Sequence, residues 1–241
     1  MNAPSTDQNL LRIVTATPPT TIDQVFSMMD DIDQTLPGSD GLKWFNRLYL
    51  DVTKQVRDHP GSGNFADPQW VANLDVVFAN LYFKSVGDFL RAPDSAASSW
   101  NALFEARRRA GVDRIQFALA GMNAHINHDL ALALLQTNAE MDLTPAHDSP
   151  EHNDYEHVND LLETVLPEAL NFLAGDKLGE LAQDTGKTGR LLAIWSVRAA
   201  RDLAWDFSDH LRNLTGPFRQ TALDSQDGLT GVIGRALLLP V

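Results

Sequence analysis

Residues 115–141 read IQFALAGMNAHINHDLALALLQTNAEM, and this stretch decides the fold. On a helix with 3.6 residues per turn, its apolar residues lie on nearly every side, which predicts a helix that is buried on most sides rather than an amphipathic surface helix with one solvent-exposed face. Nowhere does the sequence alternate with the period of two that is typical of strands bounded by hairpin turns. We therefore expect an all-α fold, a multi-helix bundle around a buried central helix at about residues 112–141.

The length of 241 residues allows one sizeable core, and no shift in composition divides the chain. Residues 1–18 are polar and end in two prolines, so we expect a flexible N-terminal arm there and a single all-α domain over residues 19–241. Further helices are expected near residues 22–36, 42–56, 67–89, 151–165, 190–214 and 231–239. Another helix, capped by Ser98 or Ser99, is expected to carry Trp100, Leu103 and Phe104 and to end at the arginines of residues 107–109.

Composition restricts the classes of function. The sequence has no cysteine, which excludes disulfides, thiolate zinc sites and cysteine nucleophiles. A net charge of -13 disfavours nucleic acid and anionic membranes as partners. There is no apolar run of the roughly 20 residues that span a bilayer, and the first residues do not have the pattern of a secretory signal. We expect an acidic cytoplasmic protein that acts on a small molecule, without a nucleic-acid or membrane partner.

A polar cluster lies in the middle of the apolar central stretch. It comprises Asn123, His125, Asn127, His128 and Asp129. Burying such groups is unfavourable unless each is hydrogen-bonded or bound to something. Because His125 and Asp129 are four residues apart, they lie on one face of a helix, where an imidazole and a carboxylate can share a metal ion.

A second polar cluster opens the segment near residues 151–165, where His152 and Glu156 repeat the four-residue spacing. Two helices packed about 8–10 Å apart can bring two such pairs around one cavity. Asp75, among apolar neighbours, is either a buried carboxylate near that cavity or an outward-facing residue. The predicted metal ligands are His125, Asp129, His152, Glu156 and Asp75, and the predicted catalytic residues are Asp154, Asn127 and His128.

Two resemblances accompany these clusters. The pattern Met122-Asn123-Ala124-His125-Ile126-Asn127-x-Asp129-Leu130, with His152-x-Asp154-Tyr155-x-x-Val158-Asn159 downstream, resembles a mainly actinobacterial family of uncharacterised all-α proteins. That resemblance covers most of the chain and implies no particular chemistry.

The second resemblance is confined to residues 125–158. His125-x-x-x-Asp129, followed by His152-Asn153-Asp154-Tyr155-Glu156, resembles the ligand order of the all-α zinc-dependent phospholipase C and P1 nuclease superfamily. It implies a zinc cluster that activates water against a phosphoester. The chain lacks the further histidine and the N-terminal tryptophan that ligate zinc in that superfamily, so the resemblance implies one or two metal ions rather than three.

Three hypotheses of function follow. The first is a metal-dependent hydrolase of a small, partly apolar substrate, with a phosphoester as the leading candidate and with zinc favoured over iron or manganese; the metal would lower the pKa of bound water toward about 7. The second is a metal-free helical pocket that binds, cyclises or isomerises an apolar metabolite through His125, Asn127 and Asp129. The third is a non-enzymatic structural protein in which both clusters only fix helix packing.

Overall fold

The computed structural model describes residues 5–58, 63–174 and 196–240. Its helices are α1 (Thr6–Val14), α2 (Ile22–Thr35), α3 (Gly41–Asp58), α4 (Pro68–Arg91), α5 (Ser98–Ala106), α6 (Arg114–Ala124), α7 (Leu130–Glu140), α8 (Pro150–Ala174), α9 (Val197–Asn213) and α10 (Gly216–Leu237). A 3-10 turn covers Pro93–Ser95, and a π-helical segment covers His125–Asp129. The described ranges contain no strand, which confirms the predicted all-α class.

The central helix is continuous from α6 through the π-helical segment into α7. Every residue from Ile115 to Ile126 is buried. Helices α3, α5 and α10 pack against α6, while α4 and α9 pack against α7, and α8 contacts both α3 and α6. The apolar surface on all sides of this helix is thus covered by neighbours, which confirms the predicted buried central helix. Within the described ranges, no helix is long and apolar enough to cross a membrane.

The N-terminal residues differ from the flexible arm predicted for residues 1–18. From Ser5 onward they form α1, in which Ser5 and Gln8 make a reciprocal capping box and Leu10 is completely buried. The physical reason is present in the sequence, because Leu10 and Val14 are one helical turn apart and both are covered by the packing of α1 on α2 and α4. Residues 1–4 of the predicted arm lie outside the described residues.

The last two helices also differ in extent from their predictions. Helix α9 begins at Val197, and residues 190–195 of the predicted helix lie outside the described part of the chain. Helix α10 is much longer than the predicted segment 231–239, since it starts at Gly216 with Pro217 in its first turn. Proline suits that position because the first turn of a helix leaves its backbone N–H groups unpaired in any case.

Two glycines allow the close helix contacts that surround the polar cluster. A Cβ atom at Gly121 of α6 would collide with the ring of Phe45, so α3 and α6 approach through this position. A Cβ atom at Gly231 of α10 would lie 2.8 Å from the carbonyl oxygen of Ser98. These approaches bring α3 against α6 and α10 against the start of α5.

Helix α10 is also tied to the bundle by hydrogen bonds. The Asp227 carboxylate accepts the backbone N–H groups of Ser98 (2.8 Å) and Ser99 (2.9 Å), and so caps α5, whose own N-cap residue is an alanine. The Asn123 amide donates to the carbonyl oxygen of Thr230 at 2.9 Å. Part of the first polar cluster therefore holds helices together.

We expect Gly121→Ala to destabilise the fold by about 1–3 kcal/mol, because the added methyl group must displace the buried Phe45 ring. Chemical unfolding measures this effect. Gly228→Ala in α10 is the matched control, since its Cβ atom would have no neighbour within 4 Å. There the higher helix propensity of alanine should raise stability by about 0.5–1 kcal/mol. Equal effects of the two substitutions would contradict the close approach of α3 and α6.

Candidate functional site

A cavity of about 290 Å³ lies between α3, α4, α8, α9 and the central helix. Its walls are mostly apolar. Exposed Pro68 and Ala72 border its mouth, whereas His125, which is 2% exposed, borders its inner end. Asp75 and Arg201 add polar groups to the wall. An apolar cavity with a few polar groups is typical of a small-molecule site, and this volume is near the lower end of the usual range of roughly 300–1,000 Å³.

The π-helical segment sets the geometry of the cavity's inner end. The backbone N–H of Leu130 donates to the carbonyl oxygen of His125, five residues back, where an α-helix would bond four residues back. Within this wider turn, Nδ1 of His125 lies 2.9 Å from Oδ2 of Asp129. The predicted pairing of these two side chains on one face is present, but as a direct hydrogen bond. Single π-helical turns inside α-helices often occur at functional sites.

Three N–H donors hold the buried carboxylate of Asp129. Oδ2 accepts Nε1–H of Trp100 at 2.9 Å as well as the bond from His125, and Oδ1 lies 2.8 Å from Nδ1 of His128. Burial by itself raises the pKa of Asp129, but the hydrogen bonds from the two histidines and their charges outweigh it, so the pKa is lowered below its usual value. Asp129 is therefore an ionised acceptor whose two oxygens are already occupied.

His125 is left with an unused acceptor. Because Nδ1 donates to ionised Asp129, the lone pair of the neutral ring is on Nε2, which is buried without a hydrogen-bond partner in the described structure. The ring stacks on Phe78 at 3.5 Å between centroids, and the Tyr49 ring lies 4.7 Å away. Burial lowers the pKa of His125, although the bond to Asp129 opposes this effect. The imidazole is thus neutral near pH 7, in the form that can accept a proton.

His128 has a different role from the catalytic one predicted. Its Nδ1 contacts Asp129, and its Nε2 lies 3.8 Å from Oδ1 of Asp227 on α10. Burial lowers the pKa of His128, but the bond to Asp129 and the charges of both carboxylates outweigh that effect, so the pKa is raised overall. His128 lies between two carboxylates and joins the central helix to α10, and it is not among the residues that line the cavity.

Asp75 borders the cavity from α4, so the predicted proximity of Asp75 and His125 to one cavity is present. It makes no hydrogen bond and no ion pair with the described residues. Burial raises its pKa to about 6, and the charge of Arg201 only partly opposes that shift. A carboxyl group in this state exchanges a proton at pH values close to neutral.

The second predicted pair lies elsewhere. His152 packs against the ring of Trp205 at 4.6 Å between centroids, and Glu156 accepts a hydrogen bond from Arg198 at 2.6 Å. Neither residue lines the cavity. The two residues do share a face of α8, as their spacing indicates, but that face is turned toward α9 rather than toward His125.

Two more predicted catalytic residues make structural contacts. The Asp154 carboxylate accepts the backbone N–H groups of Ala66 and Asp67, both at 2.7 Å, and so holds the segment that leads into α4. The Asn127 amide donates to Asn123 at 3.0 Å. The carbonyl oxygen of Asn127 accepts a bond from Gln226 at 2.7 Å, which is a further tie between the central helix and α10.

The predicted metal ligands do not fit a metal ion in this arrangement. Among the residues that the structure describes, no group of three or more His, Cys, Asp or Glu side chains could hold one. Coordination by Asp129 would also require it to give up a bond from Trp100, His125 or His128. The donor set therefore suits a hydrogen-bonded His–Asp pair better than a metal centre.

Arg201 is the cavity residue that the sequence analysis missed. Helix α9 buries one stripe against the bundle, and Arg201 lies on that stripe between the buried residues Val197, Ala200, Ala204 and Trp205. Its position in this stripe is a signal of burial that the sequence contains. The residue is 6% exposed and lines the cavity from α9.

We expect Asp75→Asn to stabilise the protein at high pH only. A folded pKa of about 6 against the usual 3.8 means that ionised Asp75 opposes folding. The penalty is absent below pH 3.8, grows as the pH rises to 6, and is then constant at up to about 3 kcal/mol. Thermal melts at pH 4 and pH 8 measure it, with the exposed Asp31→Asn of α2 as control. A stabilisation of Asp75→Asn that is equal at both pH values would contradict the raised pKa.

Comparison with known proteins identifies the chain at the level of a family. A search of curated proteins and a search of solved structures each found no match. The model of a family described as a family of unknown function, DUF5995, matches residues 22–240. The expected membership of a family without an assigned function is confirmed, whereas the likeness to the phospholipase C and P1 nuclease superfamily stays a prediction. The chain belongs to the family of unknown function DUF5995.

Proposed function

We propose that this protein binds a small, largely apolar molecule in the cavity and that His125 acts on it as a general base. The observation that carries the proposal is the Nε2 atom of the neutral, buried His125, which has no hydrogen-bond partner among the described residues and belongs to a side chain at the inner end of an apolar cavity. A buried polar atom without a hydrogen-bond partner is unfavourable in the free protein. A ligand that donates a hydrogen bond to Nε2 would remove that penalty.

The proposed chemistry is a proton transfer within the bound molecule. A proton leaves a C–H or O–H group of the ligand for Nε2, and the imidazolium that forms is stabilised by ionised Asp129 at Nδ1. Asp129 is a positioning residue here, because it sets the tautomer of His125 and does not contact the ligand. Asp75, with a pKa of about 6, can return a proton to a second atom of the same molecule, which completes an isomerisation.

Access to Nε2 requires one side chain to turn. Tyr49 flanks the imidazole of His125, lines the cavity and is partly exposed to solvent. Phe78, whose ring stacks on the same imidazole, is buried. The Tyr49 ring is therefore the one that a ligand displaces.

A probe reaction tests the proposal without knowledge of the natural ligand. 5-Nitrobenzisoxazole is small and apolar, and removal of its C3 proton by a base breaks the N–O bond and releases a coloured cyanophenolate. We expect the protein to accelerate this elimination at pH 7.5, and His125→Phe to lower kcat by at least about tenfold, because a positioned general base contributes roughly 10²–10⁴-fold. Phenylalanine keeps the ring that stacks on Phe78.

The same assay contains its controls. Ala72→Trp fills the cavity's mouth and should raise KM, whereas Gln69→Trp, on the same exposed side of α4 but outside the cavity lining, should leave KM and kcat unchanged. A rate in His125→Phe equal to that of the parent would contradict the role of His125. If the loss occurred only in Asp75→Asn, the base would be Asp75.

The metal-dependent hydrolase predicted from the sequence has less support, since its two ligand pairs lie apart in the described structure. We expect elemental analysis of the purified protein to find less than about 0.1 equivalent of zinc, iron or manganese after dialysis. The His125→Ala and His152→Ala variants are measured beside the parent. About one equivalent of metal in the parent that both variants lose would reinstate a shared metal site and the hydrolase hypothesis.

A further inference from the structure

Arg201 is a buried cation that forms no ion pair with the residues that the structure describes. Its guanidinium donates to Asn159 through Nε and lies 4.2 Å above the ring of Tyr155, but it makes no ion pair with any carboxylate in the described ranges. The comparison with Arg107 is informative, because that residue is as deeply buried, at 4% exposed, and pairs with both Asp40 and Asp7. Arg201 interacts electrostatically with Asp75 and Asp202 but forms an ion pair with neither, and a buried charge without a direct partner is unfavourable. The difference between the two arginines therefore requires an explanation.

The cavity supplies that explanation. Arg201 lines the cavity, and its two terminal nitrogens form no hydrogen bond with the residues that the structure describes. The carboxylate of Asp75 borders the same space and interacts with Arg201 electrostatically, but the two side chains are not within ion-pair distance. The donors of the guanidinium are therefore available to a bound molecule rather than to a protein carboxylate.

We propose that the ligand of this cavity is an amphiphilic carboxylic acid whose carboxylate pairs with Arg201 while its hydrocarbon part fills the apolar space toward His125. This inference rests on the proposed function, since it names the ligand class of the same cavity. A planar carboxylate matches the two parallel N–H donors of a guanidinium. A single negative charge also balances one arginine, whereas a phosphate group would bring a larger negative charge close to Asp75.

Three probes with the same eight-carbon chain and different head groups test the proposal. Calorimetric titration of the full chain at pH 7.5 compares octanoate, 1-octanol and octylamine. We expect octanoate to bind at least about tenfold more tightly than octanol, because hydrogen bonds to charged groups contribute roughly 1.5–3 kcal/mol, and octylamine to bind most weakly. Tighter binding of octylamine would mean that Asp75 selects the ligand, and equal binding of all three would mean that the head group is not recognised; either result overturns the proposal.

Three variants locate the carboxylate. Arg201→Met should reduce the affinity for octanoate at least about tenfold and that for octanol far less. Asp75→Asn should tighten octanoate binding by removing a repulsive charge. Arg57→Met removes the arginine that borders the mouth of the cavity, and it should leave the preference for octanoate in place. Loss of the preference in Arg57→Met but not in Arg201→Met would overturn the assignment to Arg201.

Folding of the variants is checked by thermal melts. Because Arg201 forms no ion pair with the described residues, Arg201→Met should melt within about 3 °C of the parent, whereas Arg107→Met, which leaves Asp40 in the interior without its buried cation, should melt well below it. If Arg201→Met does not fold, the affinities of the parent protein for octanoate, 1-octanol and octylamine still decide whether the cavity prefers a carboxylate. Binding of none of the three compounds would reject the cavity as a ligand site and so the proposed function; binding without preference for octanoate would reject only this inference.

Discussion

The structure depends on one buried carboxylate, that of Asp129. A charge removed from water is tolerated only when paired and hydrogen-bonded, and here Trp100, His125 and His128 supply the three donors. These partners come from α5 and from the π-helical segment itself, so the carboxylate fixes both the contact between the helices and the local winding. Loss of any donor would leave part of a buried charge unsatisfied. The network therefore selects one arrangement of the central helix among the many that apolar packing alone would accept.

Many buried polar groups of this bundle are satisfied, although five described residues besides His125 also carry a buried side-chain atom without a hydrogen-bond partner, namely Asp33, Ser99, Asn101, Thr137 and Trp205. Asp154 accepts two backbone N–H groups, and buried Arg107 has two carboxylate partners. Around the cavity, by contrast, His125 has an unpartnered nitrogen and Arg201 forms no ion pair among the described residues. A buried polar group without a partner requires an explanation, and the two at the cavity border the same space, where the proposed ligand would supply both partners.

The sequence predicted the class of fold and the central helix because both follow from the period of apolar residues, which is a local property. It also predicted that His125 and Asp129 meet. The four-residue spacing of His152 and Glu156 predicts in the same way that these two side chains share a helix face. Spacing does not show which neighbour that face contacts, and in the structure the contacts are with Trp205 and Arg198. The position of Arg201 in the apolar stripe of α9 does indicate its burial, but the π-helical turn and the hydrogen-bond partners of each buried group depend on tertiary packing. For that reason neither the unpartnered Nε2 of His125 nor the missing ion pair of Arg201 among the described residues could be predicted from the sequence.

The two unsatisfied groups have a common consequence for binding. Filling an apolar cavity contributes a favourable free energy that depends little on the shape of the ligand, and it does not by itself select one molecule from others of similar size. A hydrogen-bond acceptor at the inner end and a cation on the wall do select, because a molecule that lacks the matching groups leaves both in the protein unpaired. In the proposed function, the free protein carries these unfavourable groups at a cost in stability, and a ligand that satisfies them recovers that cost. The groups that would confer specificity on the cavity are thus the same groups that oppose folding of the free protein.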